Sequence, residues 1–463
     1  MERPTPAMTP LRRLLDRAVP RGAILLSVLT FGSYAMGLVR DRFFAQTYGA
    51  GFELDAYNAA FQIPELTLDV LVASGLVAPF IPIFSGLRRE SDAAAERFAR
   101  TVLTAAVLVM STAVAILFVL APETARIAAP GFDDRERALY TDLFRLMCVT
   151  PIIFAASITL GEVLIARQRF LYYGLAPILY NAGIVLGTVL LAESIGIFAA
   201  AVGAVIGALL HLAIRIIGIA RTDVRIRPSF AFREPSFVAF VKLMLPKMLS
   251  HPIEPVLFLY FTAVATTLGA GSVSALSFAR NFQSVPVSLI GVSFSLAVFP
   301  ALSAAWAAGD RASYVRILTA NVVTIAILTV VAAIGLVVTG ELGIRVLLGG
   351  GAFNADDVAR TALVLAAFAI SVPFDALTHP LSRALYATRN TVLQVLASLA
   401  GLVVTVLATA ALVGEAGIVA IPLGFAMGAA TKVGLLALAL VSRLRATPDQ
   451  ARPDPPRPSE SGR

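Results

Sequence analysis

Apolar residues gather into twelve stretches, each about 20 residues or longer, the length that crosses a bilayer as a helix. They run near 22–48, 53–85, 98–121, 137–166, 169–192, 195–220, 237–268, 272–307, 313–339, 357–389, 391–413 and 416–443. The stretches 101–120, 317–340 and 391–414 carry no charge. The first, second, seventh, eighth and tenth are interrupted by Pro, Gly or charged residues. The densest interruption lies in the first two, where Arg40, Asp41, Arg42, Asp55 and Asp69 fall inside apolar runs. Charge at membrane depth is costly unless it faces water or a partner, so such residues mark transport pathways.

The polar breaks set topology. Basic residues concentrate in alternate loops: the N-terminal segment, Arg88/Arg89/Arg97/Arg100, Arg167/Arg169, 215–233, Arg311/Arg316, Arg383/Arg389 and the tail after Arg443. The intervening loops are short, neutral or balanced by acids. Lys and Arg enrichment marks the cytoplasmic side, so both termini are expected there. Residues 1–21 hold five arginines and four prolines before an apolar run that continues into Arg40, which predicts an uncleaved first helix. The Pro-rich tail from 444 to 463 is expected to be disordered.

The two halves repeat at an offset of about 220 residues. Thr47-Tyr48-Gly49-Ala50-Gly51 matches Thr267-Leu268-Gly269-Ala270-Gly271, Pro64 matches Pro286, and Phe80-Ile81-Pro82 echoes Val298-Phe299-Pro300. Pro151 with Arg167 matches Pro373 with Arg389 at equal spacing. Six helices separate the copies, so both have one orientation and the pseudo-twofold axis runs along the membrane normal. The expected fold is an all-α integral membrane protein of about twelve transmembrane helices in two parallel six-helix lobes around a central cavity. The lobes are 22–220 and 237–443, with 221–236 as cytoplasmic linker.

Composition sharpens the class. At 58% apolar residues, 14% charged and a mean hydropathy of +0.83, the chain is too apolar for a soluble globule. The net charge of +8 sits in loops rather than on one soluble face, which argues against nucleic acid as a partner. The single cysteine, Cys148, excludes an intrachain disulfide. His211, His251 and His379 are scattered without metal spacing, and no nucleophile–base pair or phosphate loop is visible, so neither a metal centre nor an enzyme is expected.

Arg40 lies about seven residues below the external end of the first helix and Arg280 about nine below that of the eighth. Facing each other across two lobes, two guanidiniums can hold an anionic phosphate; alternatively each pairs with a nearby carboxylate, such as Arg40 with Asp41 or Asp55. Asn281, Arg145 and Lys247 would extend that cationic track. Asp41, Asp55 and Glu254 would tune it or carry a coupling ion, Glu254 standing between Pro252 and Pro255. Asp55, after a Gly-rich turn, also reads as an N-cap or external gate residue. Gly49, Gly51, Gly269 and Gly271 would act as hinges, and Pro64 and Pro286 as kinks.

Particular residues carry a family resemblance. Gly37-Leu38-Val39-Arg40-Asp41, Tyr48-Gly49-Ala50-Gly51, Asp55-Ala56-Tyr57, Ile63-Pro64 and Ile81-Pro82 resemble the MurJ/MviN lipid II flippases of the multidrug/oligosaccharidyl-lipid/polysaccharide exporter superfamily. So do Ala279-Arg280-Asn281-Phe282 through Pro286, Gly291-Val292, Phe299-Pro300-Ala301-Leu302-Ser303 and Ala129-Pro130-Gly131-Phe132. The resemblance implies a multi-pass transporter of the bacterial inner membrane, moving a polyprenyl-pyrophosphate-linked sugar, lipid II, to the outer leaflet through a cationic cavity. It needs no cofactor beyond coupling to the membrane potential or a monovalent cation, and works with membrane lipid and cell-wall synthesis proteins. The chain departs from the family at Tyr34, where an arginine is usual, at Ala73-Ser74-Gly75, where a glutamate is usual, and in stopping after twelve helices where members commonly have two more. Those departures keep open a flippase for another polyprenyl-linked oligosaccharide, a drug/cation antiporter, and a non-transporting scaffold for cell-wall assembly.

Overall fold

The computed structural model describes residues 21–222, 224–250, 253–388 and 390–446, and among these every extended element is a helix. In hydrocarbon each backbone N–H and C=O must be bonded inside its own segment, which leaves helices as the form these apolar runs can take. In chain order they are α1 (Arg21–Tyr48), α2 (Phe52–Leu68), α3 (Ser74–Glu90), α4 (Asp92–Val119), α5 (Ala121–Ala128), α6 (Asp134–Met147), α7 (Val149–Ala166), α8 (Phe170–Ile195) and α9 (Phe198–Ala220). There follow α10 (Pro235–Ser250), α11 (Ile253–Thr266), α12 (Ser272–Pro286), α13 (Ser293–Ala307), α14 (Arg311–Leu347), α15 (Ala355–Ala387), α16 (Val392–Ala416) and α17 (Ala420–Ala446).

Ten runs of the described residues are long and apolar enough to span a membrane. The last, Val392–Arg445, folds back on itself as α16 and α17, each long enough to cross alone. Of the seventh predicted stretch, α10 is described to Ser250 and α11 from Ile253; His251 and Pro252, between them, lie outside the described residues. The fourth stretch is divided. Pro151 has no N–H for the carbonyl of Met147, and the Thr150 hydroxyl donates there instead at 2.9 Å, so α6 ends and α7 begins around Cys148. The connection read as a loop over 122–137 contains α5, and α6 opens on a capping box between Asp133 and Glu136. The connection read over 341–357 shrinks to 348–354, because α14 continues to Leu347.

The repeat is visible in helix geometry. The α2–α3 rod and the α12–α13 rod are each interrupted by a π-helical segment, Asp69–Ala73 in one and Val287–Val292 in the other. Each lies within a turn or so after the matched proline. A π turn leaves carbonyls without their usual i+4 partner, and serine hydroxyls cover them: Ser74 donates to Val70, Ser293 to Ser288 and Ser295 to Gly291. Close helix pairing repeats too. A Cβ on Gly183 would run into the backbone of Gly207, and one on Gly187 into Gly203, where α8 meets α9. At the matching place in α16 and α17, a Cβ on Gly401 would lie 3.0 Å from the Gly428 carbonyl oxygen.

The described residues fall into two compact units. The first runs to Ser277 and takes in Gly343–Ala359; the second comprises Phe278–Leu342 and the described residues from Arg360 on. In the first, α8 packs on α1, α9 and α7, while α2 packs on α6 and α11. In the second, Tyr314, Leu318, Leu381, Leu385, Leu436 and Leu440 form a buried cluster where the Tyr314 hydroxyl donates to the Ala384 carbonyl at 2.8 Å.

Candidate functional site

Small residues bring α1 and α8 together: a Cβ on Gly174 would lie 2.6 Å from Leu29 Cδ1, and one on Gly32 3.1 Å from Ile178 Cδ1. That approach places Arg40 on α1 beside Asn181 on α8. Arg40 Nε and Nη2 donate to one oxygen of Asp41 at 3.1 and 2.8 Å, and Nη1 donates to Asn181 Oδ1 at 3.1 Å. The Asn181 amide nitrogen donates to the Pro177 carbonyl at 3.1 Å, which fixes which way the amide points. One turn along α1, the Phe44 ring lies 6.0 Å from the guanidinium carbon and meets Tyr57 of α2 edge-on.

A guanidinium has five N–H groups. Three are used here, and among the described residues the bonds leave one on each terminal nitrogen, with the Arg40 side chain 26% exposed and that of Asp41 6%. Arg40 is therefore charged, oriented by two side chains, and still able to donate to an incoming anion. Of the two readings of the sequence, the structure contains the pairing with Asp41, and that pairing leaves donors on Arg40. Asn181 was missed as a site residue. Its signal was a lone amide in an apolar span.

Asp55 does not cap its own helix; Gly51 occupies the N-cap position of α2. Instead its buried carboxylate reaches the start of α12, accepting from the Gly271 amide at 2.7 Å, the Ser274 amide at 2.7 Å and the Ser274 hydroxyl at 2.5 Å. An acid at the N-terminus of a helix complements the positive end of its dipole. The opposite pairing occurs at α14, where Arg42 Nη1 donates to the last carbonyls, Val346 and Leu347, both at 2.9 Å. The connection after α14 closes onto α1, with the Ala352 amide donating to the Gln46 carbonyl at 2.8 Å. Gly49, at φ +67°, lies under that connection, where a Cβ would be 2.7 Å from the Ala352 oxygen. Gly269 and Gly271 also have positive φ, whereas Gly51 is extended, so the matched turns differ in detail.

The remaining predicted residues lie on other helices. Arg280 and Asn281 lie half-buried on α12 in the second unit, shortly before Gln283, whose amide donates to Asp375 at 3.2 Å and Ser371 at 3.4 Å. Arg145 is exposed on α6, its guanidinium carbon 5.5 Å from the Phe118 ring centre. Glu254 is exposed in the first turn of α11. The side chain of Lys247 lies outside the described residues. Pro64 is buried within α2, and Pro286 is the last residue of α12. A further polar group joins α7, α8 and α9: Arg215 donates to the Ser157 carbonyl at 2.6 Å and stacks on Tyr173, and His211 shares a 2.7 Å bond with the Ser157 hydroxyl. Nearby Glu162 is 1% exposed. Among the described residues no group of three metal-ligating side chains occurs.

Comparison with known proteins gives the family of the chain. The model of the lipid II flippase MurJ family matches residues 44–452. The chain belongs to the lipid II flippase MurJ family. Relatives within it include the lipid II flippase MurJ of Burkholderia cenocepacia, 25% identical over 436 residues, 91% of this chain and 84% of that protein. Another, from Rickettsia prowazekii and named "Probable lipid II flippase MurJ", is 24% identical over 374 residues, 80% of this chain and 74% of its own. Among solved structures, lipid II flippase MurJ in an inward closed conformation superposes with a TM-score of 0.79 at 23% identity, covering 90% of this chain and 87% of that one. The two folds are the same. MurJ proteins are transporters rather than enzymes, and membership makes this chain a multi-pass protein of the bacterial inner membrane.

Proposed function

We infer that this chain is a flippase that carries lipid II, the lipid-linked peptidoglycan precursor, from the inner to the outer leaflet of the bacterial cytoplasmic membrane. Family membership over most of the chain supports lipid II ahead of another polyprenyl-linked oligosaccharide, a drug or cation exchanged by an antiporter, or a scaffold role without transport. No covalent step is required. The physical problem is to bring a pyrophosphate through about 30 Å of hydrocarbon without stranding its charge.

The observation that carries the site reading is the Arg40 guanidinium, oriented by Asp41 and Asn181 with donors to spare. In this reading Arg40 and Arg280, with Asn281, take the phosphate oxygens, and Arg145 and Lys247 extend the cationic track. The two six-helix lobes, 22–220 and 237–443, rock to give alternating access to a central cavity, with both termini on the cytoplasmic side. Outward movement of an anion is driven by the membrane potential, at about 2.3 kcal/mol per charge per 100 mV, or by a monovalent cation for which Glu254 is the candidate carboxylate. Cell-wall synthesis proteins are the expected recipients of the flipped product.

The test is complementation of a flippase-depleted strain by Arg40→Ala and Arg280→Ala, with membrane levels of each variant measured alongside. Loss of growth at normal protein level is expected for both. Full complementation by both variants would overturn the cationic-site reading.

A further inference from the structure

The connection between α9 and α10 is laid as a strap along the first four turns of α4. The Arg225 amide donates to Glu96 at 3.3 Å, Arg100 donates to the carbonyls of Arg227 at 2.9 Å and Pro228 at 3.3 Å, and the Ser229 amide donates to Thr104 at 3.0 Å. The hydroxyls of Thr101 and Ser229 share a 2.9 Å bond, and an Arg97–Glu234 ion pair at 2.9 Å closes the far end. With part of its backbone bonded to α4, the strap leaves Arg225, Ile226, Arg227, Phe230 and Arg233 exposed, Phe230 at 69%. Among the described residues no carboxylate is bonded to these three arginines.

The depth of the strap follows from α4. Its residues from Thr101 to Val119 carry no charge and rise about 28 Å, close to the thickness of the hydrocarbon layer. Ser229 is bonded to Thr101 and Thr104, the first residues of that stretch, so Phe230 stands at the hydrocarbon boundary and the arginines beside it at headgroup level. The Phe230 ring is held there by an aromatic series through Phe232 and Phe237 to buried Phe240 and Phe98.

We propose that this strap is a binding surface for anionic phospholipid, with Phe230 and Ile226 set among the upper acyl chains and Arg225, Arg227 and Arg233 on the headgroup phosphates. It goes beyond the transport reading and rests on it only for the cytoplasmic placement of this face, where the leaflet carries anionic lipid. An aromatic ring flanked by basic residues is the composition that partitions into that interface. An acidic protein segment would match the charge but would have to displace lipid from around Phe230.

The full chain in nanodiscs of phosphatidylethanolamine and phosphatidylglycerol tests this with two independent readouts. Cys148 is 2% exposed, so a bimane attached to Phe230→Cys reports that position alone in the folded protein. Lipids bearing a nitroxide near the headgroup are expected to quench it more than lipids labelled deep in the chain, and more than aqueous iodide. Native mass spectrometry of retained lipid should show phosphatidylglycerol enriched over phosphatidylethanolamine. That enrichment should fall on the order of tenfold or more in the Arg225→Gln/Arg227→Gln/Arg233→Gln variant. Arg88→Gln/Arg89→Gln, which removes exposed charge elsewhere, should leave it unchanged. Dominant iodide quenching, undiminished enrichment in the triple variant, or capture of an acidic soluble protein without lipid preference would overturn the proposal. Neither readout depends on transport, so failure here is distinct from failure of the flippase reading.

Discussion

Replacing Asp55 by alanine should lower the unfolding midpoint by several degrees, because it strands two buried amides at the start of α12. Each buried donor left without an acceptor costs about 1–3 kcal/mol, so the amides of Gly271 and Ser274 together set a loss of about 2–6 kcal/mol, near ~4. The helix-cap contribution is contained in that figure, and the Ser274 hydroxyl, free to rotate to another acceptor, is left out of it. Asp55→Asn keeps one acceptor oxygen and should lose roughly half as much, about 2 kcal/mol. The assay is built into the chain: Cys148 is buried, and a fluorogenic thiol dye in detergent reports its exposure as the protein unfolds. At about 2 °C per kcal/mol for a unit of this size, the expected shifts are about 8 °C for alanine and about 4 °C for asparagine. Ser274→Ala alone should cost about 1 kcal/mol and add little to Asp55→Ala, since its acceptor is already gone. An Asp55→Ala midpoint within about 1 °C of the parent, or full additivity with Ser274→Ala, would refute the account of the carboxylate as a shared cap.

Other perturbations separate by the same thermal assay. Arg42→Ala removes two bonds to the end of α14 from an exposed side chain and should cost only about 0.5–1 kcal/mol, well below Asp55→Ala. Gly207→Val drives a side chain into the Tyr180 carbonyl and should destabilise by about 1–3 kcal/mol or more, whereas Gly414→Val, with open space around it, should not. Equal midpoints for those two variants would count against the close α8–α9 approach. Tyr314→Phe deletes the hydroxyl bonded to Ala384 in a buried cluster and should cost about 1 kcal/mol without altering membrane level.

The helices were legible because hydrocarbon imposes one backbone solution on any long apolar run. The repeat was legible because turn glycines and kink prolines sit at fixed offsets. What the sequence concealed was mostly partner choice across distance. Asp55 announces a cap by its type and its place after a glycine turn, yet the amides it serves lie more than 200 residues away, and nothing local distinguishes them from those of its own helix. Arg40 with Asp41 was readable as neighbours; Asn181, 141 residues on, became a partner only through the glycine contact of α1 with α8. The division of the fourth stretch was signalled by Pro151, but a proline marks a kink as readily as a break, and the Thr150 hydroxyl that replaces the lost bond at Met147 decides the case. The strap along α4 has no periodicity of its own, so its course follows from the polar stripe of the helix beneath it.

The paired π segments have a consequence for which faces the helices beyond them present. Each inserts one residue into an otherwise α-helical rod, turning everything downstream by about 100° and advancing it about 1.5 Å. The two do not share one register: the first begins five residues after Pro64 and the second directly after Pro286. A 3.6-residue period carried from α2 into α3, or from α12 into α13, therefore assigns the wrong face to every residue past the insertion.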